Sequence, residues 1–144
     1  MKCNIIIDKN REEEICIFAH ARTPLIEEIE QLAASNGAPL IGYDQDKCAV
    51  PLRATDIYCF SVQNNKVIAT TDTDTYIVRS RLYQIEESLP HNFVKINQSC
   101  IANIRKIKRF DATFGGALRV VFQNGYTDYV SRRQMKLVKE RLGL

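Results

Sequence analysis

Between Ile57 and Val130 the chain divides into short β-branched and aromatic runs, each closed by a turn signal, and this cadence restricts the fold more than any other feature. Residues 57–62, 66–71 and 75–79 predict three strands, joined by turns at Asn64-Asn65 and Asp72-Thr73-Asp74. Residues 107–110, 118–122 and 126–130 predict three more. Between the last two stands Asn124-Gly125, a strong hairpin signal, because a type I′ turn needs positive φ at both central residues. Phe114-Gly115-Gly116 predicts a further turn; with no helix opening after it, phosphate cradling is a weak reading. Two helices interrupt the pattern. Leu82, Ile85 and Leu89 repeat at helical spacing before Pro90. At the C-terminus, Ser131 with Gln134 three residues on predicts a capping box. It would precede a buried stripe of Met135, Val138 and Leu142, ended by Gly143.

The first 46 residues have a different texture. Residues 4–7 and 15–19 are apolar runs that predict two strands across the polar stretch 8–14. Thr23-Pro24 supplies an N-cap and a first-turn proline for a helix with an apolar stripe of Leu25, Ile26, Ile29, Leu32 and Ala33, stopped at Gly37. Glu27, Glu28 and Glu30 lie toward the positive end of that helix, where their default role is stabilising and solvating. Residues 39–43 predict one more strand, and Asp44-Gln45-Asp46 marks a boundary. The expected organisation is therefore a small acidic N-terminal α/β unit over 1–46, for dimerisation or regulation, and a β domain over 47–144.

Charge follows the same division. Residues 1–46 carry net −5 and residues 47–92 net zero. Residues 93–144 carry +8, from 11 Lys/Arg against three Asp/Glu, so the overall +3 conceals a strong partition. Segregated basic charge suits a polyanion, although many such asymmetries are only solvated faces. Five cysteines without any C-x-x-C pair argue against a disulfide framework and against a zinc site, so no metal is expected. Cys16 and Cys59 sit in apolar runs and are expected to be buried, while Cys100 follows a polar cluster and is a candidate redox handle. Neither a signal peptide nor an 18-residue apolar stretch is present, which predicts a soluble, reduced, cytoplasmic protein. His20 and His91 are isolated from any catalytic motif, and no P-loop, dinucleotide fingerprint, H-E-x-x-H or G-x-S-x-G occurs. No enzymatic activity, cofactor or small-molecule substrate is therefore expected. Residues 1–46 are also too few for a doubly wound receiver domain with its phosphoacceptor pocket.

Two polar constellations dominate the basic stretch: Lys95-Ile96-Asn97-Gln98-Ser99 and Ser131-Arg132-Arg133-Gln134. Arg, Gln, Asn and Lys are the side chains that grip phosphates and read base edges. Structural readings stand beside this one. Asn64 and Asn65 are ordinary turn formers, Asn97 and Gln98 could satisfy backbone groups in a bend, and Arg132 and Arg133 could be solvated first-turn residues. Two arginines at a helix N-terminus are electrostatically unfavourable, however, unless an anion such as a DNA phosphate sits there. Asn103, inside an apolar run, is expected to be a structural hydrogen-bonder.

The segment from Phe93 to Ile107 resembles the signature of LytTR-type DNA-binding domains. In that signature a phenylalanine, a basic residue and a His-Arg-Ser or His-Asn-Ser triplet precede an apolar pair and an asparagine. The resemblance extends upstream to Asp56-Ile57-Tyr58, Asn65-Lys66-Val67 and the helix before Pro90, and downstream to Asn124-Gly125 and Val130-Ser131-Arg132-Arg133. It implies a mainly β fold, an elongated stack of small antiparallel β-sheets with short helices that presents loops to successive DNA major grooves. It also implies base reading by Asn65, Gln98 and Arg133. Lys66, Lys95, Asn97, Ser99, Ser131, Arg132 and Lys136 become phosphate-contacting or supporting residues. The sequence departs from the family pattern at Asn97, Gln98 and Cys100, which bears on the base sequence recognised.

The resemblance further implies a transcription regulator on double-stranded promoter DNA, acting as a homodimer at least on DNA and, in stand-alone members, held in check by a membrane partner protein. The alternatives are an RNA-binding module, for which stacking aromatics on a sheet face would be expected, and a protein-interaction or ligand-sensing module.

Overall fold

A computed structural model of the chain describes residues 2–12, 14–34, 39–113 and 115–143. Seven strands form one antiparallel sheet: β1 (Leu40–Tyr43), β2 (Ala49–Leu52), β3 (Cys59–Gln63), β4 (Lys66–Thr70), β5 (Thr75–Val78), β6 (Phe93–Asn97) and β7 (Cys100–Asn103), in the order β2-β1-β5-β4-β3-β7-β6. Three more, β8 (Ile107–Ala112), β9 (Leu118–Phe122) and β10 (Thr127–Val130), form a second antiparallel sheet in the order β10-β9-β8. Helices α1 (Pro24–Ala34), α2 (Leu82–Ser88) and α3 (Met135–Leu142) complete the described elements. The mainly β architecture is the one expected.

The strands sit where period-2 alternation can bury both faces of the central sheet. On β3, Cys59 faces one core and Phe60 the other; on β7, Cys100 and Ala102 face the first and Ile101 the second. The first core unites the two sheets and α3 through Val94, Ile96, Val120, Phe122, Val130 and Val138. The second packs α2, through Leu82 and Ile85, against Phe60, Val67, Ala69, Val78 and Phe93. Such doubly buried runs fix register, because a one-residue slip would exchange the two cores.

Several expectations are corrected. Residues 4–7 and 15–19 are not strands: Ile5, Ile6, Ile7, Ile15 and Phe18 are exposed, as is Cys16, which was expected to be buried. Local β propensity does not make a strand without a partner edge to supply hydrogen bonds. The strand expected at 39–43 forms as β1, but it pairs with β2 and β5 inside the main sheet, with Tyr43 opposite Ile77. Helix α1 starts as predicted, Thr23 accepting the amide of Ile26 on its hydroxyl and that of Glu27 on its carbonyl. The stop assigned to Gly37 and the Phe114 part of the glycine turn lie outside the described residues.

Turn chemistry also differs from expectation. The Asn124-Gly125 hairpin forms, but only Gly125 has positive φ, so the turn is not type I′; Asn124 instead accepts the amide of Tyr126 on its side chain. The type I′ signature of two successive left-handed residues belongs to Asn64 (φ 49) and Asn65 (φ 61), between the paired Gln63 and Lys66. Helix α3 begins at Met135 with Gln134 at its cap and no side-chain cap hydrogen bond, so the Ser131 capping box is not realised. A backbone bond from the Gln134 amide to the Ser131 carbonyl closes that turn instead.

Candidate nucleic-acid interface

Three connections emerge at one end of the central strands: the β3–β4 tip, the β6–β7 turn and the link from β10 to α3. Backbone bonds tie them together. The amide of Val62 donates to the Ser99 carbonyl (2.8 Å), joining the first two, and the amide of Ser131 donates to the Ile96 carbonyl (2.8 Å), joining the last two. A register shift between Lys95 and Asn97 leaves Ile96 out of the β6–β7 pairing, and its carbonyl is the one that accepts from Ser131.

Asn97 is the hinge pin of this assembly. Its Nδ2 donates to Asp128 Oδ1 (2.9 Å) and to the Tyr129 carbonyl (2.8 Å), while its Oδ1 accepts the Ser99 amide (2.8 Å). With both ends of its amide engaged, Asn97 positions the turn and leaves Gln98 and Ser99 exposed at its apex. Asn65 and Lys66 are exposed on the β3–β4 tip, and Arg132, Arg133 and Lys136 are exposed around the start of α3, with Ser131 half-buried beside them. Lys95 differs: it is half-buried and 4.0 Å from Glu86 on α2, a weak ion pair that a phosphate would have to compete with.

The opposite end is organised by Asn103. Fully buried, it donates to the Ile57 carbonyl (2.9 Å) and accepts from Asn92 (2.9 Å) and from the Arg105 amide (3.1 Å), as a structural hydrogen-bonder should. Here α1 is fastened by charge. Both Nη atoms of Arg105 bind the Glu27 carboxylate, and this hydrogen-bonded pairing holds Glu27 below the usual carboxylate range and Arg105 above its own. Burial alone would raise Glu30, but hydrogen bonds from Arg22 and His91 (Nδ1 at 2.8 Å) outweigh it and hold Glu30 low as well. His91 thus makes a structural contact, and Glu27 and Glu30 clamp α1 to the β domain.

Cys100 lies behind the β6–β7 turn, buried beside Cys59. A hydrogen bond with Cys59, reinforced by burial, pushes its thiol far up, the reverse of what a reactive thiolate needs. Among the described residues no group of His, Cys, Asp and Glu could hold a metal ion, and no helix is long and apolar enough to cross a membrane.

A β domain that collects exposed Asn, Gln, Arg, Ser and Lys on three mutually bonded loops has the makings of a nucleic-acid reader. Comparison with known proteins places it. Residues 47–143 match the LytTr DNA-binding domain, and the chain belongs to that family. It is 31% identical to an uncharacterised HTH-type transcriptional regulator of Staphylococcus aureus strain NCTC 8325 / PS 47, over 100% of this chain and 99% of the relative. The counterpart in strain MRSA252 matches to the same extent. A solved LytTr DNA-binding domain from Bacillus cereus superposes with a TM-score of 0.69 at 18% identity, covering 75% of this chain and 100% of that one. In the present chain α2 and α3 are separated by five strands, so among the described residues they do not form a helix-turn-helix pair.

Proposed function

We propose that the chain is a sequence-specific transcription regulator that reads double-stranded promoter DNA in the major groove through loops. The observation that carries this reading is the bonded cluster of three loops, which presents Asn65, Gln98 and Arg133 on separate connections at one end of a rigid sheet. Asn and Gln can pair bidentately with adenine, and Arg with guanine O6 and N7. Lys66, Lys136, Arg132, Ser99 and Ser131 fix register on phosphates, with Lys95 joining them once released from Glu86, and Asn97 supports the central turn. The part of residues 1–46 that precedes β1 serves dimerisation or regulation, so that two protomers occupy paired sites and a membrane partner protein restrains the regulator, while residues 40–43 belong to the main sheet.

Binding measured against salt concentration with a selected duplex, a scrambled duplex and single-stranded RNA tests this reading. The selected duplex should bind best and with a steep salt slope. Equal affinity for all three, or a preference for RNA, would remove it. Arg133→Ala should cost about 1–3 kcal/mol on the selected duplex and little on the scrambled one, whereas equal losses on both would demote Arg133 to a phosphate contact.

A further inference from the structure

Beside the Asn65–Lys66 tip lies an open cleft of about 960 Å³, lined by Lys47, Lys66, Arg79 and Arg81. Three of these cations, Lys47, Arg79 and Arg81, belong neither to the +8 stretch nor to the residues assigned above. They come together because β1 pairs with β5, and β5 with β4 (Val78 opposite Val67), which brings the β1–β2 turn and the β5–α2 link to the tip of the β3–β4 hairpin. All four are exposed, and among the described residues none is ion-paired, whereas Arg22, Lys95, Arg105, Arg109 and Arg119 each face a carboxylate. Arg79 is held over the Tyr43 ring, 3.8 Å from its centroid, which orders the guanidinium without neutralising it. Asp44 also lines the cleft, its Oδ1 accepting the Cys48 amide at 2.8 Å, so the lining sets four cations against one carboxylate and stays basic.

Lys47 adds an independent indication. Its φ of 64° is left-handed, a region that glycine or asparagine occupies more cheaply than lysine. A lysine kept where the backbone disfavours it points to a use for the charge.

We propose that this cleft holds the phosphate backbone of the duplex flanking the base-read core, with Lys47, Arg79 and Arg81 as its contacts. The assignment rests on the duplex-DNA reading given above. Continuity with Lys66 and Asn65 favours DNA over an unrelated polyanion, because a duplex read at the tip must carry its backbone onward past it. Long, solvated, unpaired cations suit point contacts to repeating phosphates.

The test uses the full chain, a duplex selected on it from a random-sequence pool, and the same duplex trimmed to the base pairs that the selection fixes. Lys47→Asn keeps a residue that tolerates the left-handed backbone, and should melt no lower than the parent. On the untrimmed duplex, Lys47→Asn, Arg79→Gln and Arg81→Gln should each reduce the log–log salt slope by about 0.9, as loss of one phosphate contact does. On the trimmed duplex the slopes should be unchanged. Parental slopes for all three variants on the untrimmed duplex would overturn the proposal alone. Equal reductions on both duplexes would move the contacts into the core and overturn the flanking assignment. Failure of the parent chain to enrich any duplex would overturn the DNA reading and this proposal with it.

Discussion

Asn65 carries two separable properties, a left-handed backbone and an exposed amide, and a single substitution can keep one while deleting the other. Asn65→Gly retains the type I′ turn, because glycine adopts positive φ freely, so stability should hold while affinity for a selected duplex falls. Asn65→Ala removes the same amide but should also destabilise the fold by up to about 1 kcal/mol, because alanine lacks the short polar side chain that lets asparagine tolerate the left-handed region. Thermal melts and duplex binding on both variants settle the matter; unchanged binding by Asn65→Gly would return Asn65 to the role of turn former. Asn103 shows the reverse case, a polar side chain whose amide nitrogen and oxygen are both engaged inside. Its structural role was legible because an asparagine flanked by apolar residues must find partners once buried. The cleft cations were not legible, since Lys47 is distant in sequence from Arg79 and Arg81 and only the β1–β5 pairing makes it their neighbour. Cys100 follows polar residues, which left a redox role open, but the strand that starts at Cys100 turns the thiol inward against Cys59. Alkylation of the native chain should therefore modify Cys3, Cys16 and Cys48, all exposed, and spare Cys59 and Cys100 until unfolding. Labelling of Cys100 at the rate of Cys48, followed by mass spectrometry, would contradict the buried pair.

Elements were legible where local pattern and tertiary demand agree. The strands β3 to β5 and β8 to β10 carry β propensity between turn signals, and α2 stops just before a proline, so their identity follows from the residues themselves; β6 and β7, either side of the polar turn, form strands that this pattern does not indicate. Residues 4–7 and 15–19 carry the same propensity but meet no pairing edge in the structure, and propensity alone cannot indicate that. The edge pair β1–β2 depends on a residue whose importance no motif announces. A Cβ on Gly42 would lie 2.6 Å from both Leu52 Cδ1 and Tyr76 Cβ, so Gly42→Ala must push the β1–β2 pair off its neighbours. We expect a loss of about 1–3 kcal/mol, in the range of an overpacked site, read by chemical denaturation; a neutral Gly42→Ala would show that this edge yields without cost. Helix α1 offers a different handle, because charge fastens it. Glu27 and Glu30 both titrate below the usual carboxylate range in the folded chain, so their contribution is present above the unfolded value and is lost as pH falls through the folded one. Amide exchange in α1 should accelerate below the ordinary carboxylate range while the central sheet stays protected. Glu27→Gln with Glu30→Gln should remove that acid sensitivity, and an α1 response unchanged in the double variant would mean that apolar packing, not charge, holds the helix.

At the scale of the whole molecule, function is polarised: the candidate DNA loops lie at one end of the central strands, and α1 is clamped at the other by Arg105 and His91. The N-terminal segment leading into α1 exposes Ile5, Ile6, Ile7 and Phe18, which are 84%, 84%, 88% and 98% accessible, and three successive isoleucines at such exposure are unusual on a protein that acts alone. Because α1 carries this segment from the end opposite the reading loops, self-association through it could join two protomers while leaving both sets of loops facing DNA, the arrangement that paired sites demand. The prediction is that the full chain sediments as a concentration-dependent monomer–dimer mixture. Ile6→Asp with Phe18→Asp should shift it to monomer without changing the melting transition of the β domain, since neither residue belongs to its cores. The same double variant should weaken binding to a duplex bearing two sites more than to one bearing a single site, because coupling between protomers is what it removes. A parent chain that stays monomeric at every concentration, with identical losses on one-site and two-site duplexes for the variant, would assign the exposed apolar run to some partner other than a second copy.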